Sequence, residues 1–169
     1  MQYLFRALTL LCCLFAIQLP AQAADLDSVI ARLQILEDRE DIRALILAYG
    51  EAHDGRDYKA FSELFATEGE WIGGMGIAKG PEAIFALMDE FIGHNPQPGG
   101  SGSYHVISNE QIVIDGDLAT AKSKWIFVTA GAENKPTWVY LGHYDDEFIR
   151  ENGVWKFLRR EAPADIPVE

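Results

Sequence analysis

Of the side chains in this sequence that can exchange a proton near neutrality, the first to weigh are the four histidines, His53, His94, His105 and His143, and the aspartate Asp54 beside the first of them. An aspartate and a histidine that meet in a fold form an acid/base pair. Imidazole gives and takes a proton at neutral pH, and a carboxylate beside it fixes the tautomer or serves as base when desolvation raises its pKa. Enolisation, double-bond migration, aldol cyclisation and dehydration need that shuttle and no cofactor. On residue type alone, Asp54 serves equally to cap the Gly55-Arg56 turn, and His105 to fill an ordinary strand position.

Other chemistries fit less well, and no metal or cofactor is expected. The four histidines lack the two-histidine helical spacing of metalloproteases, and both cysteines, Cys12 and Cys13, lie in an apolar N-terminal segment. Asp145-Asp146-Glu147 reads as a solvated strand edge, because strand alternation sends Asp146 opposite to its neighbours and breaks any three-ligand claw. Gly73-Gly74-Met75-Gly76 has neither the lysine of a phosphate loop nor a dinucleotide-site context.

The chain has 26 acidic against 14 basic residues, a formal charge of -12, which repels phosphate backbones; nucleic acid is not an expected partner. Met1–Arg6 with one positive charge, the apolar Ala7–Leu19, and Ala21-Gln22-Ala23 together read as a secretory signal cleaved after Ala23. The apolar run, at about 13 residues, is shorter than the roughly 20 needed to span a bilayer, so no anchor is expected after cleavage. The mature protein is expected in the periplasm or secreted. Residues 24–162 read as one domain and 163–169 as an extended tail.

Several elements are needed to position any site. Leu26, Val29, Ile30, Leu33 and Leu36 recur at helical steps, as do Ile42, Leu45, Ile46 and Tyr49, with Asp38 and Asp41 suggesting a break near Glu37. Asp57 is placed to cap a further helix bearing Tyr58, Phe61, Leu64 and Phe65 and ending at Thr67-Glu68-Gly69. Residues 70–78, with Trp71 among glycines, suit one short, bent strand. Pro81 restarts a helix, with Ile84, Phe85, Leu87, Met88 and Phe91 inward. The Gly/Pro/Ser loop 93–103 can act as a lid. Four strands follow, at 104–114, 118–130, 137–151 and 154–160, punctuated by the turn dipeptides Asp115-Gly116 and Asn152-Gly153. Helices followed by a strand meander argue for an α+β fold.

This order, together with Tyr49-x-x-x-His53-Asp54-x-x-Asp57-Tyr58, Tyr104-His105-Val106-Ile107-Ser108-Asn109 and Asn152-Gly153-Val154-Trp155-Lys156-Phe157, resembles the SnoaL-like branch of the NTF2-like superfamily, which includes scytalone dehydratase-like proteins and polyketide cyclases. It implies a cone-shaped α+β barrel, with N-terminal helices on a curved, mainly antiparallel sheet around an apolar cavity. It also implies that Asp54 and His105 share that cavity as catalytic residues. The dehydratase pattern would put a tyrosine where this chain has His53, a second histidine near Val128 and an asparagine near Tyr144.

Around the pair, Tyr49, Tyr58, Trp71, Trp125 and Tyr144 are candidates for an aromatic wall, and such a wall serves equally as core. On the strand through residues 120–128, Ser123, Trp125 and Phe127 read as inward and Lys122 and Lys124 as outward. Asn109, four residues after His105, shares its face if no bulge intervenes and can orient a ligand carbonyl. The implied function is that of a lyase or isomerase acting on a small apolar or aromatic carbonyl or polyol compound. A non-catalytic periplasmic binder and a dimeric interaction module are alternatives on the same frame. A homodimer through the sheet is the expected assembly.

Overall fold

Residues 25–97 and 100–167 are described in a computed structural model. The expected signal segment and cleavage point lie outside the described residues. Three helices, α1 (Leu26–Asp54), α2 (Tyr58–Glu63) and α3 (Pro81–Phe91), pack on a seven-stranded sheet. Its strands are β1 (Phe65–Gly73), β2 (Gly76–Lys79), β3 (Ser103–Asp115), β4 (Leu118–Ala130), β5 (Pro136–Glu151), β6 (Val154–Ala162) and β7 (Ala164–Pro167). The order is β2-β1-β6-β5-β4-β3 with β7 on β5, and among the described residues only the β1–β6 pair is parallel. The sheet curves without closing, so the architecture is α+β, as expected, in the form of an open cone.

Helix α1 runs unbroken where a break near Glu37 was expected. An aspartate inside a helix usually competes for backbone donors, but the Asp38 carboxylate is buried and spent on tertiary partners: Gln34 Nε2 at 3.1 Å, Trp155 Nε1 at 3.3 Å and the Arg150 guanidinium at 2.7 Å. Burial alone would raise this carboxyl; the donated hydrogen bonds outweigh it and hold the pKa below the ordinary value. A lowered pKa contributes stability above the unfolded value, and that contribution disappears as pH falls through the folded one. Asp38→Asn is therefore expected to cost about 1–3 kcal/mol at pH 7, the penalty of under-satisfied buried donors. The gap in urea midpoint should close as pH drops below about 4. Equal midpoints at pH 7 would remove Asp38 as the pin of this helix.

The second half of α1 supplies the core. Ile42, Leu45, Ile46 and Tyr49 are buried with Phe61, Phe65, Phe148, Trp155 and Phe157. Burying large apolar side chains is worth about 1.5–3 kcal/mol each, which is the main term holding α1 to the sheet. The first turns carry their apolar stripe uncovered: Leu26, Val29, Ile30, Leu33 and Leu36 are all exposed.

Other local expectations shift. Asp57 does cap α2, its Oδ1 accepting from the Ala60 N–H at 3.1 Å. The helix ends at Glu63, and Thr67-Glu68-Gly69 lies inside β1 instead of forming a terminating turn. The single bent strand at 70–78 is a hairpin of β1 and β2, and a register irregularity against β6 falls between Phe65 and Glu70. Phe91 is exposed at the last position of α3, while Ile84 and Met88 are buried. The meander matches its predicted spans to within two residues at each end. Asn152-Gly153 forms its tight turn with both φ angles positive, 53° and 81°. The tail beyond Ala162 adds β7, which pairs with β5 through Leu141↔Ile166 and Gly142↔Ala164. A side chain at Gly142 would sit 2.5 Å from carbons of the Trp125 ring, so only glycine lets the tail and that wall approach.

Candidate functional site

Asp54 is the last residue of α1, where the partial negative charge of the helix end disfavours a carboxylate. It is held by two bonds from one residue of β3. The His105 backbone N–H donates to Oδ2 at 2.8 Å, and the His105 Nδ1–H donates to Oδ1 at 2.7 Å. The loop after α3 closes over this end of the helix, with Gln97 N–H on the Gly55 carbonyl at 2.8 Å and Ser101 N–H on that of Asp54 at 2.9 Å. An imidazole that donates through Nδ1 to a carboxylate keeps Nε2 as its free acceptor.

Beside the pair lies a cavity of about 730 Å³. Its wall includes His53, Tyr49, Tyr58, Trp71, His105, Trp125, Phe127 and Tyr144. Asp54 is not on that wall; it stands behind His105 and reaches the cavity through it. Of the two expected catalytic residues, His105 therefore faces the cavity and Asp54 positions it. Burial pushes the Tyr58 phenol up to about 12 and also raises Tyr49 and Tyr144, so these groups stay neutral donors. Trp71 Nε1–H donates to the Tyr49 hydroxyl at 3.0 Å, and Trp125 Nε1–H to the His143 carbonyl at 2.9 Å. The Tyr58 hydroxyl is buried without a partner among the described residues.

Alternation delivers the β-strand members. His105 and Ile107 point inward on β3, facing Phe127 and Trp125 of β4. Asn109 does not join them. Two residues of β3, Asn109 and Glu110, stand against Ser123 alone, and Asn109 takes a left-handed φ of 60°. This bulge exchanges the faces, so that Ile112 is buried beyond it and Asn109 lies exposed on a shallow outer groove with Lys122 and His143. On β4, Ser123 and Trp125 are buried, as the alternation predicts.

Two features escaped the sequence reading. His53 lies on the cavity wall with its ring 4.4 Å from that of His105. Burial, then the neighbouring His105, lower its pKa to about 3, so it is neutral at working pH. The second is a buried ion pair. Arg160 Nε and Nη2 donate to the two Asp146 oxygens, both at 2.7 Å, with both side chains fully enclosed. The guanidinium carbon lies 4.0 Å from the ring centres of Tyr49 and Tyr144. The pair thus backs the aromatic wall. Asp146 is therefore no solvated edge, although alternation had already sent it to the face opposite Asp145.

His53, Asp54 and His105 bring three possible metal-ligand atoms within 4.8 Å of one another. Asp54 Oδ1 and His105 Nδ1 are paired with each other, however, and among the described residues the cavity wall adds no other carboxylate or thiolate. Chemically the arrangement offers a carboxylate-backed imidazole base, a neutral imidazole and neutral phenols around an apolar space.

The SnoaL-like domain model matches residues 34–161. An NTF2-like protein with a cystatin-like fold from Novosphingobium aromaticivorans is 31% identical, with a TM-score of 0.72 over 85% of this chain and 92% of that one. LinA is 23% identical, with a TM-score of 0.67 over 81% and 93%. A candidate scytalone dehydratase from Novosphingobium aromaticivorans is 21% identical, with a TM-score of 0.63 over 79% and 87%. No curated protein matches the chain.

Proposed function

We propose, since this chain belongs to the SnoaL-like domain family, that it is a cofactor-independent lyase or isomerase acting on a small apolar or aromatic carbonyl or polyol compound. The observation that supports this most is the His105 imidazole on the cavity wall, tied through Nδ1 to Asp54 and open at Nε2. In this reading Nε2 removes a proton from carbon or from a hydroxyl, and Asp54 offsets the charge the ring acquires. The aromatic wall excludes water and holds the substrate flat. His105 then returns the proton to another carbon, giving migration, or to a departing hydroxyl, giving dehydration.

The test is mass spectrometry of small molecules that copurify with the protein, followed by incubation of each recovered compound with fresh protein. An isomeric or dehydrated product is expected. A recovered compound that never changes would make the protein a binder.

The reading includes export and self-association. The outward face of the sheet exposes Tyr104, Val106, Val113 and Trp138, apolar side chains suited to a second copy. The exported protein is expected to begin at Ala24 by intact mass and to sediment as a homodimer. A monomer at micromolar concentration would remove the dimer.

A further inference from the structure

We infer that Arg56 gives this cavity an anion subsite, so that the compound it takes carries a carboxylate while its apolar body lies on the aromatic wall. The inference rests on the reading of this cavity as the substrate site and narrows the class to monocarboxylates. Three observations support it. Arg56 lines the cavity, and among the described residues no other lysine or arginine does so. Among the same residues no aspartate or glutamate lines that wall, and no carboxylate lies within ion-pair distance of the Arg56 guanidinium. The third is the backbone that carries Arg56, which is strained.

The acids nearest in the chain are already engaged. Asp54 takes two bonds from His105, and Asp57 Oδ1 caps α2 by accepting the Ala60 N–H. Arg160, behind the wall, is matched by Asp146, so that pair adds no net charge. The positive charge of half-buried Arg56 is felt inside the cavity: it opposes a second positive charge on His53 and favours the ionised form of Tyr58. Ser101 and Ser103 share the wall, with their hydroxyl oxygens 3.0 Å apart. One hydroxyl proton serves that bond, and among the described residues the other has no acceptor, which leaves a further donor for an anion.

Helix α1 closes with the Asp57 N–H on the Ala52 carbonyl at 2.9 Å and the Arg56 N–H on that of His53 at 3.0 Å. This two-bond closure puts the residue after the cap in the left-handed region, where glycine is the usual occupant. Here Arg56 takes it, with φ 53°, while Gly55 before it keeps φ -78°. A side chain at that φ is strained, so the turn itself does not call for arginine. A guanidinium on an apolar wall attracts an anion strongly, because little water screens it. Its planar fork meets the two oxygens of a carboxylate through two parallel N–H bonds. One guanidinium offsets one negative charge; a phosphate monoester would bring a second, left without a partner in an apolar space.

The experiment follows, by fluorescence at neutral pH, the binding of 2-naphthoate and 2-naphthamide, flat probes of the same size that differ in charge. Wild type, Arg56→Met and Arg56→Gly are compared, with the thermal midpoint of each recorded. Wild type is expected to bind the acid at least about tenfold more tightly than the amide, the worth of a hydrogen bond to a charged group. Both variants should lose that preference and keep the wild-type affinity for the amide. Arg56→Gly should melt no lower than wild type, because relief of the left-handed φ offsets the freedom glycine adds to the unfolded chain. Arg56→Met keeps the apolar stem of the side chain and keeps the question decidable if the glycine variant does not fold. Equal affinity of wild type for acid and amide, or a folded variant that retains the preference, overturns the anion subsite and leaves the cavity and His105 as they stand. If wild type binds neither probe, the cavity does not hold flat aromatic compounds, and the proposed function falls together with this inference.

Discussion

Asp54→Asn is expected to slow turnover of the recovered substrate about a thousandfold or more, with the thermal midpoint moving only a few degrees. The rate loss follows from the tautomer. An asparagine oxygen can still accept the His105 backbone N–H, but its amide then presents N–H groups to Nδ1. That moves the imidazole proton to Nε2 and removes the acceptor from the cavity; in a His–Asp pair of this kind such a change costs on the order of ten-thousandfold. Stability is spared because Asp54 is half-buried at a helix C-terminus, where a neutral side chain relieves an unfavourable interaction with the helix dipole. Steady-state kinetics beside calorimetry separates the two effects. Unchanged turnover would end the acid/base assignment.

Arg160→Met is expected to destabilise the fold by about 3–5 kcal/mol, because it leaves the enclosed Asp146 carboxylate unpaired. Burial already raises this carboxyl from its ordinary value in spite of the guanidinium beside it. A raised carboxyl pKa contributes stability below the unfolded value and loses it as pH rises through the folded one, so the variant should weaken progressively above about pH 4. Replacing both partners, Asp146→Leu with Arg160→Met, should restore most of the loss, since a buried pair repays little beyond its own desolvation. Urea unfolding of the three proteins decides it. A single variant as stable as wild type would mean the pair is not structural. The guanidinium also lies on the rings of Tyr49 and Tyr144, so the double variant should fold yet hold a looser aromatic wall and bind 2-naphthamide more weakly.

How much was legible in the sequence varied with the range of the forces involved. The meander strands and their turns were readable because alternation and Asn-Gly chemistry act between near neighbours. The helical stripe through Ile42, Leu45, Ile46 and Tyr49 was readable for the same reason. The break expected near Glu37 was not there, since Asp38 finds Trp155 and Arg150 from the far end of the chain. Asn109 was misplaced by a bulge that one extra residue creates. Nothing in the local pattern marks it, because Asn109 is only one of several residues able to adopt that φ.

The sequence alone determined which chemistry was available: an imidazole and a carboxylate, cysteines confined to the N-terminal apolar segment, an excess of acidic residues, and apolar periodicities that make helices and a strand meander. Residue type and near-neighbour spacing decide those properties, and they survive any detail of packing. Only the tertiary structure decided that Asp54 stands behind His105 instead of beside it, that His53 faces inward as a neutral ring, and that Asp146 meets Arg160 across β5 and β6. These depend on strand register and on which side of a helix end meets the sheet. Both are set by the summed burial of distant side chains, which no local stretch of sequence encodes.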